Sequence, residues 1–589
     1  MRIRKLLDWR KLLIYSHRWL GIGVGAVFVA WCISGIVLMY AGVPHLTAGE
    51  RLMRLPPLDL STIRVTPAEA AASFKDPPRR LRISMHGNRP VYRFNTGRVF
   101  GRWTLVYADT GTPVQPLDRE AALAWLRGYL PDQRTLRYDA YLERPDTYTR
   151  LPAMQTHFPV HRVSLDDAAG TEYYVSARSG EAVMKSDRRT RLLGLFGYIT
   201  HTFFFFRQQS WWSALLQWVS WIGLAMCLTG AVIGVWRYGL TPRFRHKRIP
   251  SHSPYTGWMK WHHYAGLLFG LFTITWTFSG LVSLDVIPGI RESRYSTQQI
   301  AEGARSVQGE GAVIDLSSLT LEALRTAAAT VSSSFAPKEL ELLQFGGEPY
   351  LIAYQPPTPD TVGQWSSRSG MDFITPTPDG DYYVLISPLH PDRPFERFDD
   401  ETMRRVARKA MPGVAIRDAF WLFEYDDYYY ETVSSFDLGL PRMAKPLPVL
   451  RVRYEDAADT WLYLTPAPGQ IYKTERLDRA NRWGYYGLHG LDFAFLYQYR
   501  PLWDIVAIAL LVGVGVSSVT SIMPALRRLA RHARGSFAKQ RHDILPTFLG
   551  GNGRRRVAEL VLDVDVRGRA RAQQQTDRLE TRTAPDRHV

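Results

Sequence analysis

Residues 18–41 and 261–287 are apolar runs of membrane length, and they superpose without a gap at a constant offset of 245 residues. The first reads His17-Arg-Trp-Leu-Gly21, then Gly25, Trp31, Ser34 and Gly35. The second reads His262-His263-Tyr-Ala-Gly266, then Gly270, Trp276, Ser279 and Gly280. Two unrelated hydrophobic helices share a composition, but they do not share a histidine, several glycines, a tryptophan and a serine in one register. The chain therefore reads as internally duplicated. Histidine at the edge of a bilayer core is costly without a partner, so a repeat with one in each copy points towards chemistry.

The mean hydropathy of -0.18 over 589 residues excludes a bundle of helices with short loops; most of the mass must be soluble. Runs able to cross ~30 Å of hydrocarbon fall near 18–41, 211–236, 261–287 and 502–523. Four crossings put both termini on one side. Arg2, Arg4, Lys5, Arg10 and Lys11 precede the first run, the connection 237–260 is basic without an acid, and Arg527, Arg528, Arg531 and Arg534 follow the last. By the positive-inside rule these segments are cytoplasmic, and the two large soluble segments are expected outside, in a periplasm or its equivalent.

The fold expected is a four-transmembrane α-helical bundle with two exported α+β domains, internally duplicated. Its divisions are a membrane helix over 12–41, a first exported domain over 42–190, and an interfacial segment with the second helix over 191–236. A cytoplasmic loop over 237–260 and the third helix over 261–287 follow. The second exported domain spans 288–482, an interfacial segment with the fourth helix spans 483–523, and a basic cytoplasmic tail over 524–589 is expected to be largely disordered. The formal charge of +18 belongs to this topology and to anionic lipid near the tail, which lacks the interleaved aromatics of nucleic-acid binding. Both cysteines, Cys32 and Cys227, lie in membrane helices, so no disulfide framework is available outside.

The duplication continues in the exported segments. His157 to Ala169, then Tyr174 and Gly180, aligns with Leu447 to Ala458, then Tyr463 and Gly469, at an offset of 289. Each stretch alternates apolar and polar residues on both sides of an Asp/Ala or Gly cluster, the pattern of an antiparallel hairpin. Weaker examples run from Arg89 through Tyr107 and from Pro349 to Ile352. Residues 117–130 and 398–411 have helical spacing. His157 and His161 flank a proline in a strand-like stretch, so they do not share a helix face as a metal pair.

After each exported domain comes another histidine, His201 in Leu192–Phe206 and His489 in Trp483–Phe495. Polar breaks separate each from the following span. One straight helix over 192–236 would measure about 65 Å at 1.5 Å per residue, more than a bilayer needs, so a bent segment at the interface is expected. Four histidines then form two pairs, His17 with His262 near the cytoplasmic face and His201 with His489 near the other; His263, beside His262, is the alternative ligand. Two neutral imidazoles on facing helices suit bis-imidazole ligation of haem, here two haems, with Gly21, Gly25, Gly266 and Gly270 leaving room for a flat ring. Structural zinc fits less well, since it wants four closed ligands.

The histidine-aromatic-x-Gly starts of helices one and three, Leu488-His489-Gly490, and the paired hairpins ending in Gly180 and Gly469 resemble the PepSY-associated transmembrane proteins over residues 10–525. That family includes iron-regulated inner-membrane proteins and periplasmic ferric-siderophore reductases. The resemblance implies PepSY-like exported domains and a haem-b oxidoreductase that passes electrons outward to a ferric siderophore or another periplasmic acceptor, releasing Fe(II). In this chain Thr200-His201-Thr202 stands where the family has Leu-His-Gly.

The electron donor is not written in the chain. Gly21-Ile-Gly-Val-Gly25 lies inside a membrane helix, without the strand-turn-helix setting of a dinucleotide loop, so membrane quinol or a separate cytoplasmic reductase must supply electrons. No acid-base residue is assigned as catalytic. Tyr425, Tyr428, Tyr429 and Tyr430 beside Asp426 and Asp427 form a candidate substrate surface. The competing classes are a non-redox sensor or peptide-binding, protease-modulating membrane protein, and an iron-chelate permease.

Overall fold

The computed structural model describes residues 9–96, 102–132, 135–150, 152–246, 249–284, 314–358, 383–430, 445–466, 471–497, 499 and 501–548. Gly469 and the tail beyond 548, both named above, lie outside these. Among the described residues four helices are long and apolar enough to cross a bilayer, within Trp9–Leu38, Trp212–Arg237, Gly257–Val282 and Leu502–Arg527. They match the four runs expected. The last helix continues to Phe548. The basic segment from 524 is thus helical as far as Phe548, and the rest of the tail lies outside the described residues.

Between the first two membrane helices lie strands β1 (Arg80–His86), β2 (Arg89–Asn95), β3 (Trp103–Tyr107), β4 (Leu136–Leu142), β5 (Val160–Leu165), β6 (Glu172–Ser176) and β7 (Ala182–Ser186). A short hairpin, β8 (Phe244–His246) with β9 (Ile249–Ser251), occupies the loop between the second and third. The second half supplies β10 (Glu339–Phe345), β11 (Glu348–Tyr354), β12 (Tyr383–Ser387), β13 (His390–Phe395), β14 (Ile416–Leu422), β15 (Val449–Tyr454), β16 (Trp461–Leu464) and β17 (Ile471–Thr474).

Strands β4-β5-β6-β7 and β14-β15-β16-β17 make two equivalent four-stranded antiparallel sheets. The copies agree in detail. Asp167 accepts from the Thr171 backbone and hydroxyl, as Asp456 does from Thr460. The helices expected over 117–130 and 398–411 are present as Arg119–Tyr129 and Asp400–Ala410, N-capped by Asp118 and Asp399, whose side chains accept from Ala121 and Thr402.

The duplication alone did not announce the third sheet. Seven strands, in the order β13-β12-β11-β10-β1-β2-β3, run across both halves, joined where β1 pairs antiparallel with β10. Its faces alternate with period two. Leu81, Ile83, Tyr92, Phe94, Leu340 and Leu342 enter one core with the helix Leu321–Ser332. Tyr350, Ile352 and Leu385 face a second core with Val163, Tyr173, Leu450 and Leu462 of the four-stranded sheets. On that second face Arg82, Arg93 and Glu339 are buried together with Glu181, and the partly exposed Arg51 reaches in beside them. Arg82 reaches Glu181 at 2.7 Å within the first half, and Arg51 reaches Glu339 at 2.8 Å across the seam.

The end of the first membrane helix runs directly into this assembly, with Leu38 and Val43 packed on Met154, Tyr174, Met184 and Tyr198. That end is the domain side of the bundle, and the end bearing β8 and β9 is the loop side.

Candidate functional site: two levels of paired histidines

His17 and His262 sit near the starts of the first and third membrane helices, and their rings face one another with centroids 6.1 Å apart and planes at 28°. His17 Nδ1 donates to the Met226 carbonyl at 2.9 Å, and His262 Nδ1 donates to the Ser517 carbonyl at 2.9 Å. A carbonyl can only accept, so each neutral ring holds its hydrogen on Nδ1 and its lone pair on Nε2. Both contacts need close helices. An added Cβ at Gly21 would meet Met226 at 3.7 Å, at Gly266 it would meet Ser517 at 3.9 Å, and at Gly230 it would stand 2.6 Å from His17 Cε1. A Cβ at Gly21 or Gly266 would make an ordinary contact, whereas at Gly230 it would collide with the His17 ring. Gly270 has nothing within 4 Å of an added Cβ and leaves the open space expected of it.

The second pair is built differently. Leu195–Ile199 and Arg482–Gly487 are π-helical turns that stand just before His201 and His489. Two residues past each histidine, Phe203 and Leu491 adopt left-handed backbone, with φ of 49° and 52°. The chain thereby bends away from the membrane helix that follows, as the over-long apolar segments required. Trp212 Nε1 donates to the Thr202 carbonyl and Trp503 Nε1 to the Gly490 carbonyl, each at 3.0 Å, fastening both bends alike. π-helical turns and left-handed non-glycine residues concentrate at functional sites.

His201 and His489 lie with ring centroids 6.2 Å apart and planes at 86°. His201 Nδ1 is 3.0 Å from Ser34 Oγ, and His489 Nδ1 is 2.9 Å from Ser279 Oγ. Each serine hydroxyl already donates to a carbonyl one turn back, Trp31 or Trp276, at 3.1 Å. The serine oxygens are therefore the acceptors, and Nδ1 again bears the hydrogen. Ser34 and Ser279 stand 17 residues beyond His17 and His262, so the two levels are separated by about 25 Å along the helices.

A cavity of about 550 Å³ opens at the domain-side level, lined by His201, His489, Tyr485, Trp31, Trp276 and Arg207 among mostly apolar neighbours. That size is ordinary for a cofactor pocket. Tyr485 stacks on His489 with centroids 5.2 Å apart. Trp31 Nε1 donates to the His201 carbonyl, but Trp276 Nε1 is buried without a protein partner, and Arg207 stands at the same cavity over the Trp212 ring. Two metal–imidazole bonds of roughly 2.0–2.1 Å, with half a ring beyond each, fill the centroid separation at either level. Paired imidazoles with oriented Nδ1 atoms, apolar walls, an unpaired indole N–H and a guanidinium suit a flat macrocycle with acidic substituents.

All four histidines proposed from sequence are thus brought into two pairs. His263 does not join them: its Nδ1 is 2.7 Å from Ser253 Oγ and its Nε2 is 2.9 Å from the Gly234 carbonyl, so it ties the loop to the second helix. His161 is likewise committed, to Tyr138 and the Leu117 carbonyl. The tyrosine-acid cluster is divided, with Tyr425 and Asp427 exposed. Tyr429 and Tyr430 are 0% and 6% exposed and belong to the interior. Asp426 accepts from the Tyr428 and Tyr429 backbone, from Tyr463 and from Arg451, so it organises a turn and offers no exposed ligand surface. Burial and the Asp426 carboxylate push the Tyr463 phenol up. These tyrosines lie in the turn that follows β14, and Tyr429 packs inward on Val449 and Tyr463. Sequence reasoning noted Ser34 and Ser279 as repeat markers but missed their role. Met226, Ser517 and Gly230 could not have been found, because a backbone acceptor and a bare Cα carry no side-chain signature.

Fold and site together define a duplicated four-helix membrane protein with two levels of cross-half histidine pairs and a β-rich head. Residues 14–528 match the PepSY-associated TM region family, and the chain belongs to that family. No curated protein matches it.

Proposed function

We propose that this chain is a haem-b reductase of the bacterial inner membrane that carries electrons to a ferric siderophore or similar periplasmic acceptor. The observation that carries the reading is the two-level pairing of imidazoles, each with its Nδ1 hydrogen committed to a fixed acceptor. Oriented Nδ1 partners of this kind hold ligating histidines in the correct tautomer. His17 with His262, and His201 with His489, would each hold one haem, which when bound supplies a one-electron carrier. The chain's own residues position the rings through Met226, Ser517, Ser34 and Ser279, keep water out with apolar helix faces, and fasten the domain-side bends through Trp212 and Trp503.

The basic segments on the loop side favour cytoplasmic termini, with the β-rich head in the periplasm. Membrane quinol or a separate cytoplasmic reductase is the donor. A ferric chelate takes one electron per iron at the head, and hard oxygen donors hold ferrous iron far less tightly. Purification in mild detergent from haem-replete cells tests the reading. The expected result is a reduced-minus-oxidised spectrum with b-type bands, diminished by His17→Ala and by His489→Ala, and rapid reoxidation by ferric chelates in stopped flow. A colourless protein overturns it and favours a sensor.

A further inference from the structure

We infer that the two histidine pairs are electronically unequal, with the domain-side pair setting the higher reduction potential. The inference rests on the haem reading above and goes beyond it. Two independent features point the same way.

The first is ring orientation. At the loop side the imidazole planes lie at 28°, and at the domain side at 86°. An imidazole ligand donates π density from an orbital perpendicular to its plane. Two nearly parallel rings donate into the same iron d orbital, raise it, and stabilise the ferric hole that occupies it. Two perpendicular rings donate into different d orbitals, leave them close in energy, and stabilise the ferric state less. Parallel rings therefore favour Fe(III) and a lower potential, with a rhombic low-spin ferric EPR signal. Perpendicular rings give a higher potential and a highly anisotropic signal.

The second is the Nδ1 partner. His17 and His262 donate to peptide carbonyls, whereas His201 and His489 donate to serine hydroxyls whose own hydrogens are held by Trp31 and Trp276. A peptide carbonyl is the stronger acceptor. It draws the Nδ1 hydrogen further, makes the ring more basic, and lowers the potential of the metal it binds. The serines do this less. The ring angle is a property of the pair and the Nδ1 partner is of the same kind in both of its members, so both features belong to the level and not to one residue.

An electron delivered by a donor of the quinol or reduced-flavin class, and consumed by reducing one Fe(III) to Fe(II) in a chelate, therefore falls in energy from the His17–His262 level to the His201–His489 level. Ser34 and Ser279 are positioning residues that tune this drop.

The test is an anaerobic redox titration of the full-length protein in detergent, followed optically and by low-temperature EPR. Two one-electron components are expected. The anisotropic signal should titrate at the higher potential and vanish in His489→Ala, and the rhombic signal at the lower potential and vanish in His17→Ala. Ser34→Ala and Ser279→Ala should raise the midpoint of the anisotropic component alone, and Ser34→Thr, which keeps a hydroxyl, should restore it. A rhombic component at the higher potential, or serine variants that move the other component, overturns the inference while leaving the haem reading intact. Absence of any haem b overturns both.

Discussion

At the scale of single residues, the site depends as much on what is missing as on what is present. An added Cβ at Gly230 would stand 2.6 Å from His17 Cε1 and 3.0 Å from its Nδ1, so Gly230→Ala must push the ring off its partner. The expected outcome is loss of the loop-side component only, read as about half of the b-type spectral amplitude, with the domain-side signal unchanged. In the soluble head, His86 is held down to about 4 by burial and by the nearby Arg93 charge, with Glu181 opposing; Tyr107 and Gly180 complete its surroundings. The unfolded chain takes up this proton near the ordinary 6.5 and the folded chain does not, so folding stability rises with pH between about 4 and 6.5. Below that window the cost is on the order of 3 kcal/mol. His86→Gln should flatten this segment of a plot of melting temperature against pH, and an unchanged slope would contradict the assignment. The histidine pairs were legible because side chains repeat in sequence; their acceptors were not, because two of them are main-chain carbonyls on helices more than two hundred residues away.

At the scale of elements, the domain-side histidines owe their direction to the π-helical turns Leu195–Ile199 and Arg482–Gly487. A π turn holds one residue more than an α turn. Deleting Phe196, which is exposed at 55%, should convert the first of them to α-helix. Each residue of an α-helix turns the chain by about 100°, so His201 would leave its partner. The expected result is loss of the highly anisotropic EPR signal with the rhombic signal retained, a polarity opposite to that of Gly230→Ala. The need for a bend could be read from length, since the apolar stretch exceeds what a bilayer accommodates. The device that makes the bend could not, because a π turn and an α turn have the same composition and differ only in which carbonyl each amide reaches.

At the scale of the whole molecule, the four crossings and the hairpins were visible as periodicity, whereas the joining of two soluble segments into one seven-stranded sheet was not. Pairing between Ile83 and Leu340 is a contact across more than 250 residues, and nothing local to either strand records it. The seam is reinforced by the Arg51–Glu339 pair, which joins the two halves, with the buried Arg82–Glu181 pair beside it within the first half. Such pairs are costly to break singly, at about 3–5 kcal/mol. Membrane helices and head therefore bind the same two halves together. Cutting the chain at a protease site engineered between β8 and β9 should leave both fragments co-eluting in gel filtration, with the b-type spectrum proposed for the uncut protein unchanged. Separation of the fragments under native conditions would contradict the shared sheet.

The six strands β3-β2-β1-β10-β11-β12 are arranged alike on either side of the antiparallel β1–β10 join, with β13 added beyond β12, and each histidine faces its own counterpart in the other repeat. This is the geometry of an isologous contact, one that a single repeat could make with an identical copy of itself. An ancestral homodimer would have been obliged to carry the same residue on both sides of every pair. Fusion into one polypeptide lifts that obligation, and the chain already uses the freedom. Thr200-His201-Thr202 faces Leu488-His489-Gly490, and the indole of Trp31 is tied down while that of Trp276 is not.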